Sequence, residues 1–319
     1  EPLIRLATQG EDSTREGVIR ALGVIKHSAS VEALMQLAAA DPQPYLRKIS
    51  IQAFGEIADA KAVPQLIKSL FVEVPGISFY NESSLALIQI GAKAVAPLIA
   101  TLKRENKEIE SIHLADGMPI AEGAIEGKAA FILGHLNAKE AEEPILAALI
   151  KNYKRFSERE KNPVFASVPG AVIELAYALG SLHSEKALPT LLKICAESHP
   201  NVRAAAAEAV TLMGATSVVK PLLKLVPVAD EIGKRVLLTA VSRLGSGEDI
   251  ATMEALSKTG SKEVSAEVMG QIVEGLKPRL NAAQACGQDV SCWQGKLNDR
   301  DATVRERVEV AKLIAHQLN

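Results

Sequence analysis

The sequence predicts an all-α chain built as a stack of helix pairs, and three observations predict it. The 319 residues are 48% hydrophobic but only 3% aromatic, so the core must be made of Ala, Leu, Ile and Val, a composition that favours helices. The length exceeds the roughly 250 to 300 residues that one core organises efficiently, which leaves separate domains or a one-dimensional stack. The chain also repeats itself: a helix of Ala and branched apolar residues ends at Gly, and after a short link a second helix opens near Pro and paired aliphatics. One such pair cannot bury both its faces, so neighbours must stack.

Each element follows from its residues. First helices end at Gly23, Gly55, Gly91, Gly134, Gly180, Gly214 and, less completely, Gly245. Glycine there either takes a left-handed reversal or lets two helices approach closely. Second helices open at Pro64, Pro97, Pro144, Pro189 and Pro221, where the missing N–H would have had no intrahelical partner. Apolar residues recur at three and four, as in Ile49, Ala53, Phe54 and Ile57, giving each helix one buried stripe. About eight pairs result: 1–41, 42–74, 78–106, 119–156, 164–198, 199–229, 230–260 and 261–297. A ninth first helix is expected over 301–318, and the whole chain, 1–319, reads as one solenoid domain. The chain opens at what reads as the second helix of a unit, so a leader or further sequence is expected before it.

The sharpest repeat residues are the helix openings His199-Pro200-Asn201-Val202-Arg203 and Asp301-Ala302-Thr303-Val304-Arg305, with Leu46-Arg47 after Asp41-Pro42 as a looser copy. This pattern resembles the HEAT-repeat family, and within it the short bacterial units called PBS-lyase-like HEAT repeats. The resemblance implies a right-handed alpha-alpha superhelix in which second helices line the concave side. It also implies that the Arg of each opening packs over the next turn and links successive units. It leaves the chemistry open, because the family includes scaffolds, adaptors, bilin lyases and DNA glycosylase relatives.

Composition narrows the function. The 36 basic residues nearly cancel 38 acidic ones, which excludes a disordered chain and a strongly basic nucleic-acid binder. A stripe of Lys68, Lys103, Arg104, Lys151, Lys154, Arg155, Lys193, Lys220 and Lys224 lies on second helices; it could meet an acidic partner, but helix-end solvation explains most of it. Nucleic acid is therefore not the expected partner. No run of roughly 18 apolar residues occurs, so no membrane span is expected, and Glu1-Pro2-Leu3-Ile4-Arg5 lacks the order of a signal peptide.

Function is expected where the repeat breaks its own period, because insertions become loops on a rigid scaffold. Three successive links between units are long: 72–81, 105–118 and 156–169. In a right-handed stack they emerge along one edge. Five of eleven aromatic residues, Phe79, Tyr80, Tyr153, Phe156 and Phe165, lie in or beside them. Aromatics and Arg are the usual anchors of an interface, so Phe79, Tyr80, Tyr153, Arg155, Phe156 and Arg159 are predicted to form one partner-binding edge. The alternative is that each aromatic folds back to fill a widened gap. The middle link carries Glu105, Glu108, Glu110, His113 and Asp116, but without an EF-hand or His-Glu-x-x-His spacing it reads as a solvated acidic loop, with no metal site.

Cys195 lies on the apolar side of a second helix and reads as a small core residue. Cys286 and Cys292 have five residues between them, including Gly287 and Asp289, a spacing that a disulfide fits. Two reduced thiols are the other reading. A disulfide would place the protein in an oxidising compartment such as a bacterial periplasm, as would the likeness of this segment to links in exported HEAT proteins; the alternative is the cytoplasm. No nucleophile elbow, phosphate loop or zinc motif is present, and the histidines are scattered. The expected function is a non-catalytic scaffold for another protein, with no cofactor. The alternative is a bilin-lyase-like enzyme or tetrapyrrole chaperone, which rests on the family resemblance, and the minor alternative is a nucleic-acid-binding HEAT protein.

Overall fold

The computed structural model describes residues 2–74, 77–114, 117–160, 169–197, 199–245 and 249–258, together with 270, 271, 273, 274, 277, 281, 285–287, 289–299 and 311. The expected helix over 301–318 and most of the pair 261–297 lie outside the described residues. The chain divides into two units, 1–182 and 183–319.

Unit 1 contains α1 (Pro2–Gln9), α2 (Asp12–Val24), α3 (Val31–Ala40), α4 (Pro44–Ile57), α5 (Val63–Ser69), α6 (Tyr80–Ile90), α7 (Val95–Leu102), α8 (Lys107–Glu110), α9 (Ala124–His135), α10 (Glu142–Glu160) and α11 (Gly170–Ser181). Two short strands, β1 (Glu73–Val74) and β2 (Ile77–Ser78), pair antiparallel in the first long link, with Val74 opposite Ile77. First helices stack on one another, α2 on α4, α4 on α6 and α9 on α11. Each second helix wedges against the following first helix: α3 on α4, α5 on α6, α7 on α9 and α10 on α11. The seam between them is aliphatic, with Ile19, Leu34, Ile51, Leu66, Leu98 and Leu175 fully buried. Unit 2 repeats the plan with α12 (Leu188–Cys195), α13 (Pro200–Leu212), α14 (Val219–Leu225), α15 (Glu231–Leu244) and α16 (Ile250–Lys258), followed by α17 (Val290–Asn298). There α12 packs on α13, and both α13 and α14 pack on α15. The architecture is the all-α helix-pair solenoid that the sequence predicts.

The two roles expected of the helix-ending glycines fall on different residues. A Cβ on Gly23 would stand 3.1 Å from the Ala53 Cα, one on Gly55 3.0 Å from Ala86, and one on Gly134 3.0 Å from Ala178. These glycines are contact points with the next first helix. The left-handed reversal comes three residues later, at Lys26 (φ 53), Ala58 (φ 56), Asn137 (φ 50) and His183 (φ 53). Gly91 and Gly214 take the reversal themselves, with φ of 75 and 65, as glycine does without strain. In α6 the corresponding contact position is therefore Ile88, three residues before Gly91, and no glycine opens α6 to its successor.

Arginines at the first-helix openings tie neighbouring units together. Arg15 donates from Nε to the Ala7 carbonyl at 3.0 Å and pairs with the Asp41 carboxylate in the next link. Arg203 donates to Asp230 Oδ1 at 2.6 Å, and Asp230 caps α15 by accepting from the Gly233 N–H at 2.7 Å. Arg47 donates to the Ala38 carbonyl at 3.0 Å, but its guanidinium then lies 4.8 Å over the ring of Phe79. Phe79 is the residue before α6, as Asp230 is before α15. A cation–π contact replaces the ion pair at this link.

The stretch Tyr80–Leu102 has a mean hydropathy of 1.8 over 18 residues, enough for a membrane span by composition. The positive φ of Gly91 breaks it into α6 and α7, and their apolar residues, Leu87 and Leu98 among them, are buried in the repeat stack.

The Gly233 N–H, and then the Arg203 guanidinium, hold the Asp230 carboxyl below the usual carboxylate range. A depressed carboxylate contributes stability that is present above its unfolded pKa and lost as pH falls through the folded one. Asp230→Ala should therefore lower stability at pH 7 by about 1 kcal/mol, the usual cost of a lost cap. The difference from wild type should shrink in thermal melts between about pH 5 and pH 2; a difference constant over that range would contradict the assignment.

Candidate functional site

The first long link sorts two adjacent aromatics. From β2 the chain sends Phe79 inward, where it is 1% exposed, and leaves Tyr80 half-buried at the start of α6. The Tyr80 ring lies 6.5 Å from Phe131 on α9. Between them the Lys128 ammonium donates to the Leu70 carbonyl at 2.8 Å and lies 5.1 Å from the ring of Phe71 and 4.9 Å from that of Tyr80. Burial pushes the Lys128 ammonium down, against the raising effect of Glu73 and Glu174. Burial likewise pushes the Glu174 carboxyl of α11 up, against the lowering effect of Lys128. The Tyr80 phenol is pushed up by burial and then by the Glu174 charge. Glu174 fits because α9 has Gly127 facing it; a Cβ there would collide with the Glu174 carboxylate.

One turn along, these helices carry a row of partly exposed rings. Phe131 is half-buried and stacks 4.3 Å from the exposed His135, whose Nδ1 bonds the Phe131 carbonyl at 2.9 Å. Tyr177 lies three residues beyond Glu174, hence on the same face of α11, and is 39% exposed. Tyr80, Phe131 and Tyr177 thus mark the outward faces of α6, α9 and α11, with Lys128 and Glu174 at their base.

The middle link is more ordered than a solvated loop. Asn106 caps α8, Ile109 is buried, and Leu114 N–H bonds the Met118 carbonyl at 2.8 Å around Gly117. The return into α9 passes through Gly123 at φ 83, where a Cβ would meet Ala171 and Asn152. Glu108 pairs with Lys68 at 2.7 Å, and Glu110 grips the Arg104 guanidinium through both oxygens. Arg104 has φ 65 and lies outside the series of first-helix reversals. Its guanidinium also reaches Glu126 of α9 at 3.1 Å. Glu126 is only 1% exposed, and Lys151 of α10 stands 3.5 Å from its other oxygen. Arg104, Glu126 and Lys151 line a cleft of about 420 Å³ together with Leu102, Pro144 and Ala147. Most cations of the predicted second-helix stripe in unit 1 are thus neutralised: Lys68, Arg104, Lys151, Lys154 and Arg155 all face carboxylates.

The predicted partner edge is divided by this geometry. Tyr153 and Phe156 are 6% and 3% exposed and, like Phe79, are core residues. The reason is the helical period: α10 continues to Glu160, and Ile145, Leu149, Tyr153 and Phe156 form its inward stripe. The third long link therefore does not begin at 156. Arg155 points outward and pairs with Glu122 at 3.0 Å. The Arg159 side chain, Phe165, Asp116 and residues 161–168 lie outside the described residues. Sequence reasoning missed Phe131, Glu174 and Tyr177; the available signal was an aromatic three residues after a charged residue on two otherwise aliphatic first helices.

In unit 2, Cys286 and Cys292 are bonded, with Cα atoms 5.4 Å apart. The buried Trp293 beside them donates from Nε1 to the Gly287 carbonyl at 3.0 Å. Cys195 is unbonded and buried, and burial pushes its thiol up to about 12.

Stacked helix pairs, with an arginine at the openings of α2, α4 and α13, define an α-solenoid repeat protein. The family described as HEAT repeats matches residues 1–73 and 171–242, and those stretches are HEAT repeats. Among solved structures, a chain of the complex of CpcE and CpcF of phycocyanin lyase from a Nostoc species is similar at 20% identity and a TM-score of 0.34, over 86% of this chain and 93% of that chain. No curated protein sequence matches.

Alkylation at pH 8 of folded protein from its native compartment should label none of the three cysteines, because the Cys195 thiol stays protonated and enclosed. Unfolding without reductant should expose Cys195 alone, and reduction should then add the other two. Labelling of Cys286 or Cys292 before reduction would contradict the disulfide in the native protein.

Proposed function

We propose that the protein is a non-catalytic scaffold that binds another protein through unit 1, on the outward faces of α6, α9 and α11. The observation that carries this reading is the row of Tyr80, Phe131 and Tyr177 over the Lys128–Glu174 pair. In a chain with eleven aromatics, three partly exposed rings share one face with a half-buried cation and carboxylate. Large rigid rings next to desolvated charge are the composition of binding hot spots. The Cys286–Cys292 bond supports an oxidising compartment such as a bacterial periplasm or cell surface.

Affinity capture from the native organism tests the reading. Tyr177→Ala and Phe131→Ala should each reduce capture of the partner at least tenfold, about 1.4 kcal/mol or more. Tyr177 is exposed enough that its loss should leave the melting temperature within a few degrees of wild type. Undiminished capture by the Tyr177→Ala protein would overturn the face as the binding surface.

A further inference from the structure

Six residues before each left-handed reversal at Gly91, Asn137 and His183 stand Leu85 on α6, Phe131 on α9 and Tyr177 on α11. Leu85 and Tyr177 are exposed and Phe131 is half-buried. The same count on α2 and α4 gives Arg20 and Gln52, so the apolar row begins at α6. Tyr80, 6.5 Å from Phe131, doubles the ring at the middle position.

Spacing and charge narrow what fits. Packed helices lie about 8–10 Å apart, and side chains at one register recur at that interval across the stack. A polyproline helix advances about 9.3 Å in its three-residue turn, so it returns the same side at each helix of the row. A β-strand returns the same side at about 6.8 Å and falls out of step. An α-helix returns it after seven residues, about 10.5 Å, but its carbonyls are already bonded internally. The carbonyls of a polyproline helix are all open to donors. The Tyr177 phenol is an exposed donor with no hydrogen-bond partner among the described residues. The charges on these helices are already opposed: Glu82 by Lys48 at 3.0 Å, Glu126 by Arg104 at 3.1 Å, and Lys128 by Glu174. An uncharged segment therefore complements the face, because a charged one would be desolvated there without a counter-ion.

We propose, on the reading of this face as a protein-binding surface, that the row of Leu85, Phe131 and Tyr177 takes an uncharged proline-rich segment in the polyproline conformation. The segment lies across α6, α9 and α11. Pyrrolidine rings three residues apart rest on the three side chains, and the Tyr177 phenol donates to a carbonyl of the segment. A segment already rigid in this form loses little conformational entropy on binding.

The probes are fluorescein-labelled, acetyl- and amide-capped peptides of one to four Pro-Pro-Gln repeats, read by fluorescence anisotropy. Controls are three Gly-Gly-Gln repeats and an Ala-Gln helix carrying Leu at every seventh residue. Three proline repeats span the row, so they should bind at least tenfold tighter than one repeat or than the glycine peptide, and a fourth should add little. Tyr177→Phe keeps the ring and removes the phenol, and should weaken binding about fivefold, the loss of one hydrogen bond. Leu85→Ala should weaken it severalfold. Both residues are exposed, so unchanged circular dichroism melts are expected for the two variants. Absence of proline-peptide binding, equal binding of the proline and glycine peptides, or proline binding unaffected by either substitution would overturn the proposal. Binding of the Leu helix alone would overturn it in favour of a helical partner. Partner capture that still depends on Tyr177 when no proline peptide binds would remove the proline-rich occupant and keep the face; capture independent of Tyr177 would remove the face itself.

Discussion

Unit 1 depends on backbone-to-backbone contact between successive first helices. Gly23, Gly55 and Gly134 place an α-carbon against Ala53, Ala86 and Ala178 at a distance that leaves little room for a methyl group. The contact point lies three residues before the left-handed reversal, so one local sequence both sets the spacing of the layer and turns the chain into its second helix. The same device shapes the face that carries Tyr80, Phe131 and Tyr177. Gly127 leaves the space into which Glu174 projects, and without it the carboxylate that balances Lys128 would have no place.

The middle one of the three long links follows the first helix of unit 1 that lacks a contact glycine. Ile88 stands in α6 where α2, α4 and α9 have glycine, and between α6 and α9 the chain inserts the 103–123 segment. The insertion is held by ion pairs in place of close helix packing: Glu108 to Lys68, Glu110 to Arg104, Glu122 to Arg155. Exposed pairs of this kind add little stability singly. Glu126 differs because it is buried, and removing one partner of a buried charge costs far more than losing a surface pair. The ion pairs thus separate by depth, with solvated pairs positioning the loop and a buried carboxylate beneath them.

Much of this was legible in the residues. The Gly and Pro punctuation and the aliphatic stripes specify helix pairs, because each is a local requirement of backbone geometry, and Arg15, Arg47 and Arg203 mark the linkage at three openings. Gly91 and Gly134 look alike in sequence, yet one is a reversal and the other a contact, and the difference of three residues is set by the neighbouring helix. The long links are visible as breaks of period, but their contents are not. Tyr153 and Phe156 fall next to a break and yet continue the stripe of Ile145 and Leu149, so the helical period outranks the link boundary. Phe79 reads as an exposed ring until it is aligned with Asp230, the residue that receives the linking arginine elsewhere. Glu126 has no signature of its own, since its burial is created by α7 and α10, which are distant in the chain.

The glycine contact is tested most directly by making one substitution at two helical glycines and comparing thermal unfolding. Gly17 lies within α2, and a Cβ added there would have nothing within 4 Å, whereas a Cβ on Gly134 would sit 3.0 Å from the Ala178 backbone. Gly17→Ala should stabilise the protein by up to about 1 kcal/mol through helix propensity, and Gly134→Ala should destabilise it by about 1–3 kcal/mol by forcing α9 and α11 apart. Stabilisation by both substitutions would show that the helices do not depend on close approach, and would contradict the account.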